Sequence, residues 1–196
     1  LPSSTIILIS CLAFLTKLTD LADYYELRAR LCANGSTMIE GVNFDISFCH
    51  VADTSSILLV ICIAAMLGLR LSFFDISNAF QSTIKPSSER HYIDLPSLYL
   101  DWFNARWPAH KIAVADAKLY CIQCLRCIQG EKDAGHKFNQ LLIKIFASIH
   151  TKPCLVCKGI FVLYNANGQS SYLAVATDDI LRAAPTADIY TLVGKT

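Results

Sequence analysis

The sequence predicts an α+β fold, and three patterns support this class. An apolar run of helical length, Ile57 to Leu67, follows Asp53-Thr54-Ser55-Ser56, which is a typical helix start. Residues 71–76 then have the composition of a strand. Two further apolar runs, 160–164 and 172–176, are separated by a turn-rich segment and indicate a β-hairpin. Strands and helices in this mixture are typical of α+β proteins.

The other elements follow from local patterns. Residues 5–16 and 24–32 flank Lys17-Leu18-Thr19-Asp20 and predict a first hairpin. Residues 85–110 contain three prolines among aromatic and charged residues, which indicates a looped, partly exposed insertion. Apolar residues recur at helical spacing from Gly130 to Ile149 and predict a second long helix.

Composition limits the class of protein. The chain has 196 residues, of which 54% are hydrophobic and 17% charged. Its longest apolar run, Ile57 to Leu69, is shorter than the ~18–20 residues that cross a bilayer, and residues 5–16 lack the flanks of a signal peptide. We therefore expect no membrane partner. The net charge of +1 does not predict tight nucleic-acid binding by this chain alone. The odd number of cysteines, nine, indicates reduced thiols in a cytosolic or nuclear protein.

Carboxylates interrupt the hydrophobic pattern at two places. Asp75 is flanked by Phe73, Phe74 and Ile76, and Asp178-Asp179 falls where a tight turn would join two apolar strands. A buried ionised carboxylate needs a partner, and adjacent carboxylates repel unless a cation binds between them. Taken singly, an Asp beside a strand is often a backbone acceptor, and an Asp pair is often a solvated turn. Together, the two places predict a two-metal phosphoryl-transfer site.

Four segments in order resemble the reverse transcriptase domain of copia-type retrotransposons. They are RARLCANG (28–35), the stretch from GVNFDIS to SFFDISNAF (41–80), IQGEKDAGHKFNQLL (128–142) and YLAVATDDIL (172–181). The resemblance covers about residues 5–185. It implies an RNA-directed DNA polymerase whose fingers are residues 1–50 and 83–133 and whose palm is residues 51–82 and 134–196. The palm would be a ferredoxin-like antiparallel sheet with packed helices. The thumb and ribonuclease H regions are expected to be absent, so the chain would be a C-terminally truncated part of the polyprotein.

The resemblance also assigns roles to individual residues. Asp75, Asp178 and Asp179 match the catalytic acids that hold two Mg²⁺ ions, with Mn²⁺ as a substitute. Phe80 matches the aromatic residue that excludes a 2′ hydroxyl, and a core Phe is its plainer interpretation. The other predicted nucleotide-binding residues are Arg28, Arg30, Gln129 and Gly130. The alternative interpretation is a solvated strand face for the two arginines and a turn at the start of a helix for Gln129-Gly130.

The implied partners are an RNA template, a DNA primer, a dNTP and the remainder of the polyprotein. The implied location is a cytoplasmic virus-like particle or the nucleus. One departure concerns Ala176-Thr177, which stands where the family usually has Tyr followed by a small or apolar residue. The contact that this Tyr makes with the primer end would therefore be lost.

Two other functions stay open at this stage. The first is an inactive relic that keeps the palm fold without catalysis. The second is a zinc-binding module, because Cys-x-x-Cys spacing suits zinc thiolates. Its candidate ligands would be Cys121, Cys124, Cys127, Cys154 and Cys157. Against zinc, the 29 residues between Cys124 and Cys154 exceed the common spacing of zinc ribbons. A Cys/His protease using His50, His110 or His136 has no local signature.

Overall fold

The structure is a computed structural model that describes residues 6–18, 25–165 and 167–185. Three α-helices lie within these residues: α1 (Thr54–Leu67), α2 (Ser97–Arg106) and α3 (Ala134–Ser148). The strands are β1 (Ile7–Leu8), β2 (Ser10–Leu18), β3 (Tyr25–Ala33), β4 (Arg70–Asp75), β5 (Tyr92–Asp94), β6 (Cys121–Gln123), β7 (Lys152–Pro153), β8 (Ile160–Tyr164), β9 (Ser170–Ala176) and β10 (Asp179–Ala184). The predicted α+β class is confirmed.

The chain divides into two compact units that interleave along the sequence. The first unit consists of Leu1–Ser47 and Phe80–Ala134, and the second of Phe48–Ala79 and Gly135–Thr196. The segments predicted as fingers and palm have boundaries within three residues of these. Their identity as polymerase subdomains stays a prediction.

The first unit contains two small sheets. In one, β2 and β3 form the predicted hairpin, with Ser10 opposite Ala33 and Leu18 opposite Tyr25. In the other, β5 lies between β1 and β6, and β1 is parallel to β5. The buried apolar residues of this unit are Leu8, Ala33, Met38, Ile93 and Cys124.

The second unit is built on a five-stranded antiparallel sheet in the order β4-β10-β9-β8-β7. Side chains alternate between the two faces of each strand. Leu181 and Ala183 of β10 share a buried cluster with Val60 and Ala64 of α1, so α1 covers one face. At β8, Phe161 contacts Phe146 of α3 edge to face, at 4.8 Å between ring centroids. The predicted hairpin around residues 165–168 is present as β8 and β9.

Helix α1 ends at the predicted Leu67 and begins at Thr54, three residues before the predicted Ile57. The side chain of Asp53 accepts a hydrogen bond of 2.7 Å from the backbone N–H of Ser56, and bonding with Ser56 lowers the pKa of the Asp53 carboxyl. Gly68 ends the helix in the left-handed conformation, at φ 63°. A residue without a Cβ adopts this conformation at least cost.

The prediction of a loop over 85–110 is wrong, because this stretch contains β5 and α2. Pro96 stands immediately before α2, where its missing N–H costs no hydrogen bond. Leu100 is the buried residue of this helix. Its aromatic side chains pack mainly on one another and on Trp107, whose ring centroid lies 5.2 Å from that of Trp102 and 5.1 Å from that of Phe103.

Across the described parts of the chain, every helix falls short of the length and apolar character that a bilayer crossing demands.

Candidate functional site

Asp75 and Asp179 lie directly opposite each other at one end of the second unit's sheet. Asp75 is the last residue of β4 and Asp179 the first of β10, and the two are register partners. The backbone N–H of Ile76 donates to the carbonyl oxygen of Asp178 at 2.9 Å. The Asp75–Asp179 pair is therefore of the non-hydrogen-bonded kind, in which Cα atoms approach to about 4.5 Å and side chains come closest.

Asp178 belongs to the two-residue turn that joins β9 to β10. Ala176 pairs with Asp179, so Thr177 and Asp178 are the two central residues. Thr177 has φ 60°, which fits the first central position of a type II′ turn, usually occupied by glycine. A β-branched residue in this conformation is a genuine outlier. Such strain persists where the surroundings impose it, and it concentrates at functional sites.

The three carboxylates are exposed to solvent. The expectation that Asp75 is buried among apolar neighbours is therefore wrong. Alternation along β4 leaves Phe73, on the same face two residues earlier, 76% exposed as well. What marks these acids as a candidate site is therefore the direct pairing of Asp75 with Asp179 and the strained turn beside them.

The predicted nucleotide-binding residues belong to the first unit, and four of them lie on strand β3 or beside its last residue. Arg28 and Arg30 are exposed on β3, two residues apart and thus on one face. At the end of this strand, the backbone N–H of Ala33 donates to the carbonyl oxygen of Gln129 at 2.8 Å. The Cys32 thiol also lies 3.8 Å from the amide oxygen of Gln129. The structure thus brings Gln129 and Gly130 against the strand that carries both arginines.

Gly130 has a structural reason to be glycine. Its φ is 92°, and a Cβ atom added there would lie 1.9 Å from the carbonyl oxygen of Ala33. Phe80, the fifth predicted residue, is half-buried and begins a short 3₁₀ turn, Phe80–Ser82.

A buried charged cluster in the first unit was not predicted. It consists of Lys85, His91, Glu131 and Asp133, all buried. The ammonium of Lys85 donates to the Glu131 carboxylate and lies 3.0 Å from Nδ1 of His91. Glu131 also accepts from the backbone N–H of Ile128 at 3.1 Å. The sequence signal was weak, because no local pattern links Lys85 and His91 with Glu131 and Asp133, which meet only through tertiary structure.

Hydrogen bonding determines the charge state of this cluster. Nε2 of His91 lies 3.0 Å from the carbonyl oxygen of Asn43, which can only accept, so Nε2 carries the hydrogen. Nδ1 of the same ring lies 3.0 Å from both the Lys85 ammonium and Oε1 of Glu131. Burial raises the pKa of Glu131, but the hydrogen bond from His91 and the charge of Lys85 outweigh it, and the pKa lies below its ordinary value. Lys85 and Glu131 are therefore a buried ion pair.

Two groups of residues in the described ranges have the chemistry of a metal site. His91, Glu131 and Asp133 offer ligand atoms within 4.8 Å of one another, yet the Lys85 ammonium already contacts two of the three. Asp75, Asp178 and Asp179 are spread more widely than that limit. They are accessible and consist only of carboxylates, the hard oxygen ligands that Mg²⁺ prefers.

The cysteines give no support to a zinc centre in the described residues. Cys121, Cys124 and Cys127 belong to the first unit, and Cys154 and Cys157 to the second. The group of three close ligand atoms found in these ranges contains no sulfur. Burial raises the pKa of the Cys124 thiol to about 11, which disfavours the thiolate that zinc requires.

Neither a protein-family model nor a curated protein matches this sequence.

Proposed function

We propose that this chain is the fingers-and-palm part of a copia-type, RNA-directed DNA polymerase. The second unit would be the palm, with its antiparallel sheet and packed helices as the ferredoxin-like element, and the first unit the fingers. The observation that carries the proposal is the pairing of Asp75 with Asp179 beside a strained two-residue turn. The sequence resemblance supports it further, since two of its four segments lie outside these acids.

The side chains of this turn are suited to bind cations. Like charges directly opposite each other across two strands destabilise the sheet, and a divalent cation shared by their oxygens removes that penalty. Asp75 and Asp179 would hold one Mg²⁺ between the strands, and Asp178 would complete the ligand set from the turn. Two bound Mg²⁺ ions would supply activation of the primer 3′ hydroxyl and neutralisation of charge on the triphosphate.

The first unit would supply the nucleotide contacts. Arg28 and Arg30 present guanidinium groups from one strand face, and guanidinium matches phosphate oxygens through two parallel N–H donors. Gln129 and Gly130 lie against the end of the same strand. The partners would be an RNA template, a DNA primer and a dNTP.

Metal binding tests the site without requiring turnover. We expect Mn²⁺ titration by calorimetry to give binding that Asp75→Asn and Asp179→Asn each weaken strongly. The matched control is Asp101→Asn, an exposed acid on α2. Glu131→Gln reports on the buried cluster as a competing site. Unchanged Mn²⁺ affinity in both hairpin variants would exclude the acidic pair as ligands.

Thermal unfolding gives a second measure of the same binding. A ligand present at a hundred times its dissociation constant stabilises the folded state by about 2.7 kcal/mol. Saturating Mn²⁺ should therefore raise the melting temperature of the wild type and leave that of Asp75→Asn nearly unchanged.

Primer extension distinguishes the active polymerase from the relic. With an RNA template, a DNA primer, dNTPs and Mg²⁺ or Mn²⁺, we expect incorporation that Asp178→Asn abolishes. Metal binding at the hairpin without any incorporation, in this chain and in a longer stretch of the polyprotein, would favour a relic that keeps the palm fold.

A further inference from the structure

Cys154 and Cys157 lie in a short loop between β7 and β8 that is closed by backbone hydrogen bonds. The N–H of Cys154 donates to the carbonyl oxygen of Ile160 at 2.8 Å, and the N–H of Ile160 donates to that of Cys157 at 2.8 Å. Both cysteines pack partly against the core of the second unit. The loop therefore holds the two residues in one arrangement.

The sulfur of Cys154 is surrounded by hydrogen-bond donors. The backbone N–H of Cys157 donates to it at 3.4 Å, and the backbone N–H of Val156 and the thiol of Cys157 also contribute to lowering its pKa. Together, the backbone bonds from Cys157 and Val156 hold the pKa of the Cys154 thiol below its usual value. Donors aimed at a sulfur stabilise its thiolate, the form that reacts as a nucleophile.

The loop is open to solvent at its tip. Leu155 is 94% exposed and Val156 89% exposed, and both cysteines are partly accessible. A cysteine is sensitive to oxidation when the pKa of its thiol is lowered, when solvent reaches its sulfur and when a second thiol lies next to it.

We propose that Cys154 and Cys157 form a redox-active dithiol that reacts with peroxides, with Cys154 as the attacking thiol and Cys157 as the resolving thiol. This inference is independent of the polymerase assignment, since it uses none of the acidic residues. The sequence alone offered these cysteines only as packed thiols or as zinc ligands.

The reaction has two steps. The Cys154 thiolate attacks one peroxide oxygen; an S–O bond forms, the O–O bond breaks, and the departing hydroxide takes up a proton to become water. The Cys157 sulfur then attacks the sulfenic acid; an S–S bond forms, the S–O bond breaks, and the departing hydroxide leaves as water with the Cys157 proton. Two thiols are oxidised and one peroxide is reduced to two waters. A thiol reductant reverses the modification.

Cys121-Ile122-Gln123-Cys124 provides a matched control with the same spacing. Cys121 belongs to β6, and Cys124 is buried with a raised pKa. Trypsin releases each pair in its own peptide. Residues 145–158 contain Cys154 and Cys157, because Pro153 protects Lys152 from cleavage, and residues 119–126 contain Cys121 and Cys124.

The experiment treats the folded chain with limiting hydrogen peroxide, blocks remaining thiols with iodoacetamide and weighs both peptides. We expect peptide 145–158 to lose two hydrogen atoms by forming a disulfide, several-fold faster than peptide 119–126. In Cys157→Ser, the sulfenic acid of Cys154 should accumulate and be trapped by dimedone. In Cys154→Ser, whose hydroxyl can still accept the backbone bonds, oxidation of Cys157 should be slow.

Two results would overturn the proposal. One is equal oxidation of the two Cys-x-x-Cys peptides in the wild type, which involves no variant that could fail to fold. The other is a peptide 145–158 that stays fully alkylated while other cysteines of the chain become oxidised.

Discussion

Each charge of the buried ion pair in the first unit is tolerated because an opposite charge lies next to it. Lys85 has no exposed side-chain surface, and neither does Glu131. An ion pair in such a place adds little net stability, because both groups lose their water. Removing one partner is a different matter, since it leaves the other charge buried and uncompensated. Substitution of either residue of the pair should therefore lower the stability of this unit, whether or not the cluster binds a ligand.

Glu131→Gln should destabilise the protein by roughly 3–5 kcal/mol at pH 7, because it leaves the Lys85 ammonium without a counter-charge. Since the pKa of Glu131 is lowered in the folded protein, its contribution is complete above its unfolded value of about 4.3 and is lost as pH falls through the folded value. Urea unfolding at several pH values measures this. The free energy of unfolding of the variant should lack the decrease at low pH that Glu131 contributes in the wild type.

Glu40→Gln is the control for this experiment, since Glu40 is an exposed acid of the same unit. We expect its unfolding midpoint to stay close to that of the wild type at pH 7. Equal midpoints for the Glu131 and Glu40 variants would show that the Lys85 ammonium does not need the Glu131 carboxylate as a counter-charge.

Individual elements differ in how readily the sequence reveals them. Helix α1 was predicted with its last residue and with its first residue three positions late, because Asp53, the apolar run and Gly68 are all local signals. Strand β4 and the hairpin strands β8 and β9 were predicted for the same reason. Strand β5 and helix α2 were missed. The prolines beside them are typical of loops and therefore predicted one. Helix α2 lacks a clear apolar face, and its aromatic side chains pack on one another instead.

The candidate site was predicted in the same uneven way. The positions of Asp75 and Asp179 follow from the ends of two strands, and their direct pairing is what the register of β4 and β10 adds. Their exposure did not follow, because alternation assigns a residue to a face but does not show how much of that face is covered at the edge of the sheet. The buried cluster of Lys85 and Glu131 joins residues 46 apart in sequence, and no local pattern reports such a contact.

The approach of β3 to the loop before α3 can be tested with glycine substitutions. Gly130→Ala would place a methyl group against the carbonyl oxygen of Ala33 in addition to straining a positive φ. Gly41→Ala shares the positive φ, at 77°, but meets no atom within 4 Å. The Gly41 variant should lose about 1–2 kcal/mol from strain alone. The Gly130 variant should lose at least about 1 kcal/mol more, because backbone must move.

Chemical denaturation of both variants measures the difference. A loss at Gly130 no larger than that at Gly41 would mean that β3 and this loop are not held as closely as the structure has them.

Association between whole molecules depends on the edges of their sheets. Strand β4 pairs with β10 on one side and forms an edge of the five-stranded sheet, and its Phe73 is 76% exposed. Exposed apolar edge strands favour association between chains, and lysine on such a strand opposes it. Phe73→Lys should therefore increase the monomeric fraction and change the free energy of unfolding by less than about 0.5 kcal/mol.

Light scattering and urea unfolding together test this expectation. Leu181→Lys is the contrasting variant, because Leu181 lies directly opposite Phe73 but is buried. That variant should fail to fold stably. If Phe73→Lys aggregates as the wild type does, the edge of β4 is not the surface through which chains associate.

The pairing of β4 with β10 also has a consequence for synthesis on the ribosome. About a hundred residues separate the two strands, and translation proceeds at roughly 5–20 residues per second. A nascent chain therefore waits on the order of ten seconds between making the strand that ends in Asp75 and making the strand that pairs with it. Throughout that interval β4 has no strand to pair with, so it is a natural binding segment for a chaperone that captures polypeptides as they emerge.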